Sequence, residues 1–184
     1  MVDLQTSYKL KIDSQLNEID LQTGLYIVII NASKVPPHIG LIIDNKYHSL
    51  NIKGRDINKP IDIVLKTLNQ KNITSLFIKI KQQHKINAEG LSVNFINQLN
   101  RFTSVEAGGA TCFSPIKLLF EEEYSVPMED VTYFYEMIPK LYSMSLIENI
   151  SSLLIDSKEF QLPVYNKEQL YSGIQQTIKT YKEN

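Results

Sequence analysis

The sequence predicts an α+β fold, and three observations carry that prediction. Short apolar, β-branched runs occupy the first part of the chain, helical spacing of apolar residues dominates after Gly108-Gly109, and no Ser- or Gly-rich linker separates the two parts. A single domain of 1–184 is expected, with a core over about 25–124 and a helical C-terminal extension over about 128–184.

Each element follows from a local pattern. Tyr8 to Ile12 alternates apolar and lysine positions, which predicts a short edge strand with Lys9 and Lys11 facing water. Leu25 to Ile30 is apolar throughout and follows Gly24, as a strand buried on both faces should. Pro36-Pro37 cannot supply ladder donors, so His38 begins a fresh strand that runs to Ile43. The chain then turns through Asp44-Asn45-Lys46 and returns over Tyr47 to Ile52 as a hairpin that Lys53-Gly54-Arg55-Asp56 ends. Pro60 suits a first helical position before Ile61, Val64, Leu65 and Leu68, and Leu76 to Lys81 reads as a further strand. Leu91, Phe95, Ile96 and Leu99 mark an amphipathic helix. Beyond a helix that opens near Cys112, helical spacing continues through Val131 to Ile138, Leu146 to Leu154 and Leu170 to Ile178.

Composition narrows the function. With 43% hydrophobic and 21% charged residues and a net charge of −1, the chain has a globular composition without the basic excess that nucleic-acid binding requires. One cysteine excludes an internal disulfide framework and a cysteine-rich zinc site, and leaves a free thiol that suits the cytoplasm. Met1 to Thr6 carries no secretory pattern, and the run Leu25 to Ile30 is far short of the roughly 20 residues that span a bilayer. Glu121-Glu122-Glu123 would fan out around a helix rather than converge on a metal, and His84 has no partner at ligand spacing. No metal or cofactor is therefore expected.

The candidate chemistry is a thiol and an imidazole. Cys112 stands where a helix opens, and unpaired amides and the helix dipole there can stabilise a thiolate. Two frames compete. With Thr111 as N-cap, Gly108-Gly109-Ala110 would let a substrate carbonyl lie against the amides around Cys112. With Ser114 as N-cap and Pro115 first in the helix, Cys112 lies just outside and the dipole helps less. His38 is the candidate base, and Gly40 on the same strand face would leave a groove beside it. A base needs a third group to fix its tautomer. A two-residue Asn45-Lys46 turn would bring Ser49 and Asn51 to the His38 face and make Asn51 that group. A three-residue Asp44-Asn45-Lys46 turn would bring His48 and Leu50 instead, making it His48.

His-x-Gly on an apolar strand, a polar residue on the next strand and a later cysteine opening a helix resemble the circularly permuted branch of the NlpC-type papain-like thiol hydrolases. That branch includes the lecithin:retinol acyltransferase-like and YiiX-like proteins. The resemblance spans about Leu25 to Phe120 and includes the order His38 before Cys112. Thr-Cys-Phe-Ser replaces the acyltransferase subgroup's Asn-Cys-Glu-His-type motif, so the bacterial hydrolases are the nearer comparison. The resemblance implies a papain-like antiparallel sheet with the cysteine-bearing helix on it, and extra C-terminal helices that roof the cleft or mediate self-association. It implies Cys112 as nucleophile, His38 as base and Asn51 or His48 as third member, acting on a peptide, amide or acyl-ester substrate through a thioacyl intermediate. The alternative function is a catalytically silent binding domain on the same fold, with Cys112 simply packed.

Overall fold

A computed structural model describes residues 7–83 and 85–183, so the expectations for Met1 to Thr6 and for His84 lie outside the described residues. The fold is α+β. Nine strands, β1 (Ser7–Lys11), β2 (Ser14–Gln15), β3 (Leu25–Ile30), β4 (His38–Ile43), β5 (Lys46–Asn51), β6 (Gly54–Pro60), β7 (Ser75–Ile80), β8 (Ile147–Leu153) and β9 (Glu159–Pro163), alternate with five α-helices among the described residues. The helices are α1 (Ile61–Gln70), α2 (Ala88–Asn100), α3 (Ser114–Tyr124), α4 (Phe134–Ser143) and α5 (Lys167–Glu183).

Seven strands form one sheet in the order β2-β8-β7-β3-β4-β5-β6, antiparallel except where β2 runs parallel to β8. The middle strand, β3, pairs with β4 on one side and β7 on the other. Its continuous apolar run is explained by the two layers covering it. Leu25, Ile27 and Ile29 face Phe95 of α2, Leu119 and Phe120 of α3 and Ile138 of α4. Tyr26 and Val28 face Ile61, Val64, Leu65 and Leu68 of α1. Each aliphatic or phenyl side chain fully buried in this way contributes about 1.5–3 kcal/mol over leaving it in water.

The structure corrects three expectations. The β4–β5 turn has two residues, as one alternative expected, but they are Asp44-Asn45 rather than Asn45-Lys46, because Asp44 and Asn45 adopt the left-handed backbone (φ 42° and 59°) that a tight two-residue hairpin turn needs. Gly54–Pro60 is a strand rather than the end of the hairpin; as a polar edge strand with alternate residues exposed, it has no apolar face to betray it. The C-terminal region is not continuously helical. Leu146 to Leu154 looks helical in spacing, yet Ile147–Leu153 pairs with β7, where β8 completes the ladder that β7 would otherwise leave open. The strand at Tyr8 is found as expected, presenting Lys9 and Lys11 to water over a buried Leu10, and it pairs with β9 in a separate two-stranded ribbon. Among the described residues no helix is long and apolar enough to cross a membrane.

His48 lies on the α2 side of the sheet with no solvent exposure, its ring edge-on to Phe95. Its Nδ1 accepts from the Asn58 amide at 3.3 Å, which puts the hydrogen on Nε2, and Nε2 has no partner among the described residues. Burial pushes its pKa down to about 4, so the folded state holds it neutral while the unfolded chain protonates near 6.5. The stability this group supports is present above pH 6.5 and is lost as the pH falls from there towards 4. Thermal unfolding between pH 7 and 4 should show a falling Tm, and His48→Leu should flatten that fall; an unchanged slope in the variant would assign the acid sensitivity elsewhere.

Candidate active site

The site forms where β4 begins and β5 ends. His38 is the first residue of β4, directly after Pro36-Pro37, and shares its face with Gly40 and Ile42. From the observed register, in which Ile42 faces Tyr47, the β5 residues on that same face are Tyr47, Ser49 and Asn51. The group that touches the imidazole is Tyr47, whose hydroxyl lies 3.0 Å from His38 Nε2.

Gly40 makes this contact possible. A Cβ at that position would lie 2.5 to 2.7 Å from the Tyr47 ring and hydroxyl, so only glycine lets the phenol lie along the strand towards His38. The space expected beside the imidazole as a substrate groove is therefore filled by the tyrosine. Neither expected third member touches the ring. Asn51 is on the right face but gives its amide to Asp56 Oδ2 at 3.0 Å, and His48 points to the opposite side of the sheet. Sequence reasoning missed Tyr47; the signal available was a glycine two residue pairs away, on the same face, from an aromatic on the neighbouring strand, an arrangement in which the ring covers the glycine.

Cys112 arrives from the other layer. It lies in the turn ahead of α3, whose N-cap is Phe113 and whose first residue is Ser114; neither Thr111 nor Ser114 is the N-cap, and Cys112 lies just outside the helix, as the second frame expected. Thr111 Oγ1 serves the turn itself, accepting from the Phe113 amide at 3.3 Å, while the Thr111 amide bonds Ser114 Oγ and the Ser114 amide bonds Thr111 O.

The sulfur reaches the strand end through a gap in the sheet. The β4–β5 ladder runs only from Ile43 opposite Lys46 to Leu41 opposite His48. Two residues further, the Ile39 amide would continue the alternation of ladder bonds, but it donates to Cys112 Sγ at 3.4 Å instead. Pro37 O lies 4.0 Å from the same sulfur, so the thiol sits against the 37–39 backbone, one peptide unit from His38. Among the described residues no hydrogen bond joins the sulfur to the imidazole; His38 Nε2 is taken by Tyr47, and Nδ1 is the nitrogen left over.

Both groups line a cavity of about 410 Å³, with Tyr47, Asn51 and Asp56 on its polar side and Ile30, Val64, Leu68 and Ile174 among its apolar walls. Lys34, which bonds Thr177 of α5 at 3.0 Å, and Lys59 stand in its wall as well. Burial dominates the electrostatics. It raises the Cys112 thiol to about 11 against the help of the Ile39, Cys112 and Phe113 amides, and it lowers His38 to about 4, with Asp56 opposing the shift and Lys34 adding to it. The resting pair is thus neutral thiol and neutral imidazole rather than an ion pair.

Gly40→Ala should destabilise the protein by about 1–3 kcal/mol through overpacking against Tyr47. The same change in a Tyr47→Ala background should cost little, since the ring is gone; urea unfolding of the four members of this double-mutant cycle measures the coupling, and equal costs in the two backgrounds would separate Gly40 from the tyrosine.

Comparison of the chain with protein-family models, with curated proteins and with solved structures finds no match.

Proposed function

We propose that the protein is a cysteine hydrolase or acyl transferase of papain-like type, acting on an amide or ester, with Cys112 as nucleophile and His38 as base. The observation that carries this reading is the position of the sulfur against the Ile39 amide, beside His38, in the wall of a cavity that both residues line. A thiol that must stay reduced suits a reducing compartment such as the cytoplasm.

The chemistry follows from the neutral resting pair. As the substrate carbonyl settles against the sulfur, His38 Nδ1 takes the thiol proton and sulfur bonds to the carbonyl carbon, whose oxygen takes the negative charge. The backbone amides around the sulfur, those of Cys112 and Phe113, are the donors assigned to that oxyanion. Collapse breaks the bond to the amine or alcohol, which leaves with the proton held on His38. Water, or a second nucleophile, then gives its proton to His38 as it bonds to the thioester carbon, and the departing sulfur takes that proton back from His38. Tyr47 keeps the imidazole oriented throughout by its bond to Nε2.

A second reading is a binding domain in which Cys112 is a packed thiol, and the raised thiol pKa and the largely apolar cavity wall favour it. Incubation with p-nitrophenyl acetate, followed by intact-mass and peptide analysis, separates the two. The expected result is an acetyl group on Cys112 in the wild type, none in Cys112→Ser, and acetylation slowed by about 10²–10⁴-fold in His38→Ala. Acetylation at the same rate with and without His38 would leave the binding domain as the reading.

A further inference from the structure

We propose that Asp56 sets the tautomer of His38 through two intervening hydroxyls, in a chain of hydrogen bonds that runs Asp56, Ser49, Tyr47, His38. This inference rests on the reading of His38 as the base and adds a positioning residue to it.

The sheet brings the four groups into line. Ser49 and Asp56 are direct partners across β5 and β6, and a register shift in that pairing falls between Tyr47 and Ser49. Ser49 Oγ donates to Asp56 Oδ2 at 3.3 Å and Tyr47 Oη lies 3.0 Å from His38 Nε2; Tyr47 and Ser49 share one face of β5 two residues apart, and the bond between their hydroxyls is the inferred link of the chain. The carboxylate is held in place by the Asn51 amide at 3.0 Å and by Lys59 Nζ at 3.8 Å. Asn51, expected to orient the imidazole itself, thus acts on the residue at the far end of the chain.

Directionality comes from hydrogen-bond inventory. An ionised carboxylate only accepts, whereas a hydroxyl has one hydrogen to give and lone pairs to receive. With the Ser49 hydrogen committed to Asp56, the Ser49 oxygen faces Tyr47 as an acceptor, so the Tyr47 hydrogen goes to Ser49. The Tyr47 oxygen is then left to accept from His38, which requires the hydrogen on Nε2 and leaves the Nδ1 lone pair bare. The opposite polarity, with Tyr47 donating to Nε2, would put the hydrogen on Nδ1 and leave nothing to take a proton from Cys112. A single anion at the end of the chain is enough to choose between them. Asp56 takes up no proton in this scheme; it orients two hydroxyls and, as a negative charge near the ring, favours the imidazolium that forms when the thiol proton is transferred.

The test reads the tautomer directly and the chemistry separately. Imidazole ¹⁵N–¹H correlation spectra of the full chain, assigned with His38→Ala, should show His38 with its hydrogen on Nε2 in the wild type. In Asp56→Asn and in Ser49→Ala that signature should shift to the Nδ1–H form or to a mixture, with Asp56→Glu restoring it. Acetylation of Cys112 by p-nitrophenyl acetate should fall by roughly 10–100-fold in the first two variants, the size of loss typical when an outer hydrogen-bond partner of a functional histidine is removed. An Nδ1–H wild type, or variants that leave both tautomer and rate unchanged, would overturn the proposal. A wild type with Nε2–H and the predicted variant shifts, but no acetylation of Cys112, would uphold the chain of bonds while removing the hydrolase reading.

Discussion

The arrangement of the site depends on one interrupted ladder. If β4 and β5 stayed paired to their ends, the Ile39 amide would be spent on β5 and the strand end would be closed to the turn that carries Cys112. Because pairing stops at Leu41 and His48, that amide is free to receive a sulfur, and a residue from the α3 layer meets a strand whose His38 side chain belongs to the α1 layer. The same divergence opens the cavity, since the ends of the two strands line it together with the turn at Cys112. Prolines at 36 and 37 contribute by ending any ladder that would run into His38 from before.

Energetics at this place are set by burial more than by dipoles or charges. A thiol two residues ahead of a helix gains little from the helix field, which fades within a turn, while loss of water acts on it in full. His38 is governed by the same imbalance: Asp56 across the cavity favours the imidazolium, but desolvation outweighs it. A thiol buried this way keeps its proton at rest rather than standing as a thiolate. Tyr47 fits that environment. Its hydroxyl stays protonated because burial raises its pKa strongly, so it remains a hydrogen-bonding partner that carries no charge of its own.

Legibility in the amino-acid sequence followed the range of the interaction. The class α+β, the strands at Leu25–Ile30 and His38–Ile43 and the helices α1 and α2 could be read because hydrophobic spacing, prolines and glycines act over a few residues. The pairing of Cys112 with His38 as candidates also came from local chemistry: one thiol ahead of a helix and one histidine at the start of a buried strand. What could not be read were features decided by a partner far along the chain. Ile147–Leu153 carries apolar spacing compatible with a helix and becomes a strand because β7 offers it a free edge, and Gly54–Pro60 is too polar to signal a strand before β5 is there to pair with it.

The third member of the site shows the same division at the scale of a single side chain. Residue identities by themselves determined that His38 and Gly40 share a face and pointed to the returning strand for the residue that meets the ring. Tertiary structure alone decided that this residue is Tyr47, because the hairpin turns at Asp44-Asn45 and because the missing Cβ of Gly40 leaves room for a phenol along the strand. Backbone pattern is local and survives in a string of letters, whereas register and side-chain contact depend on how far two strands slide and lean, which only the folded sheet specifies.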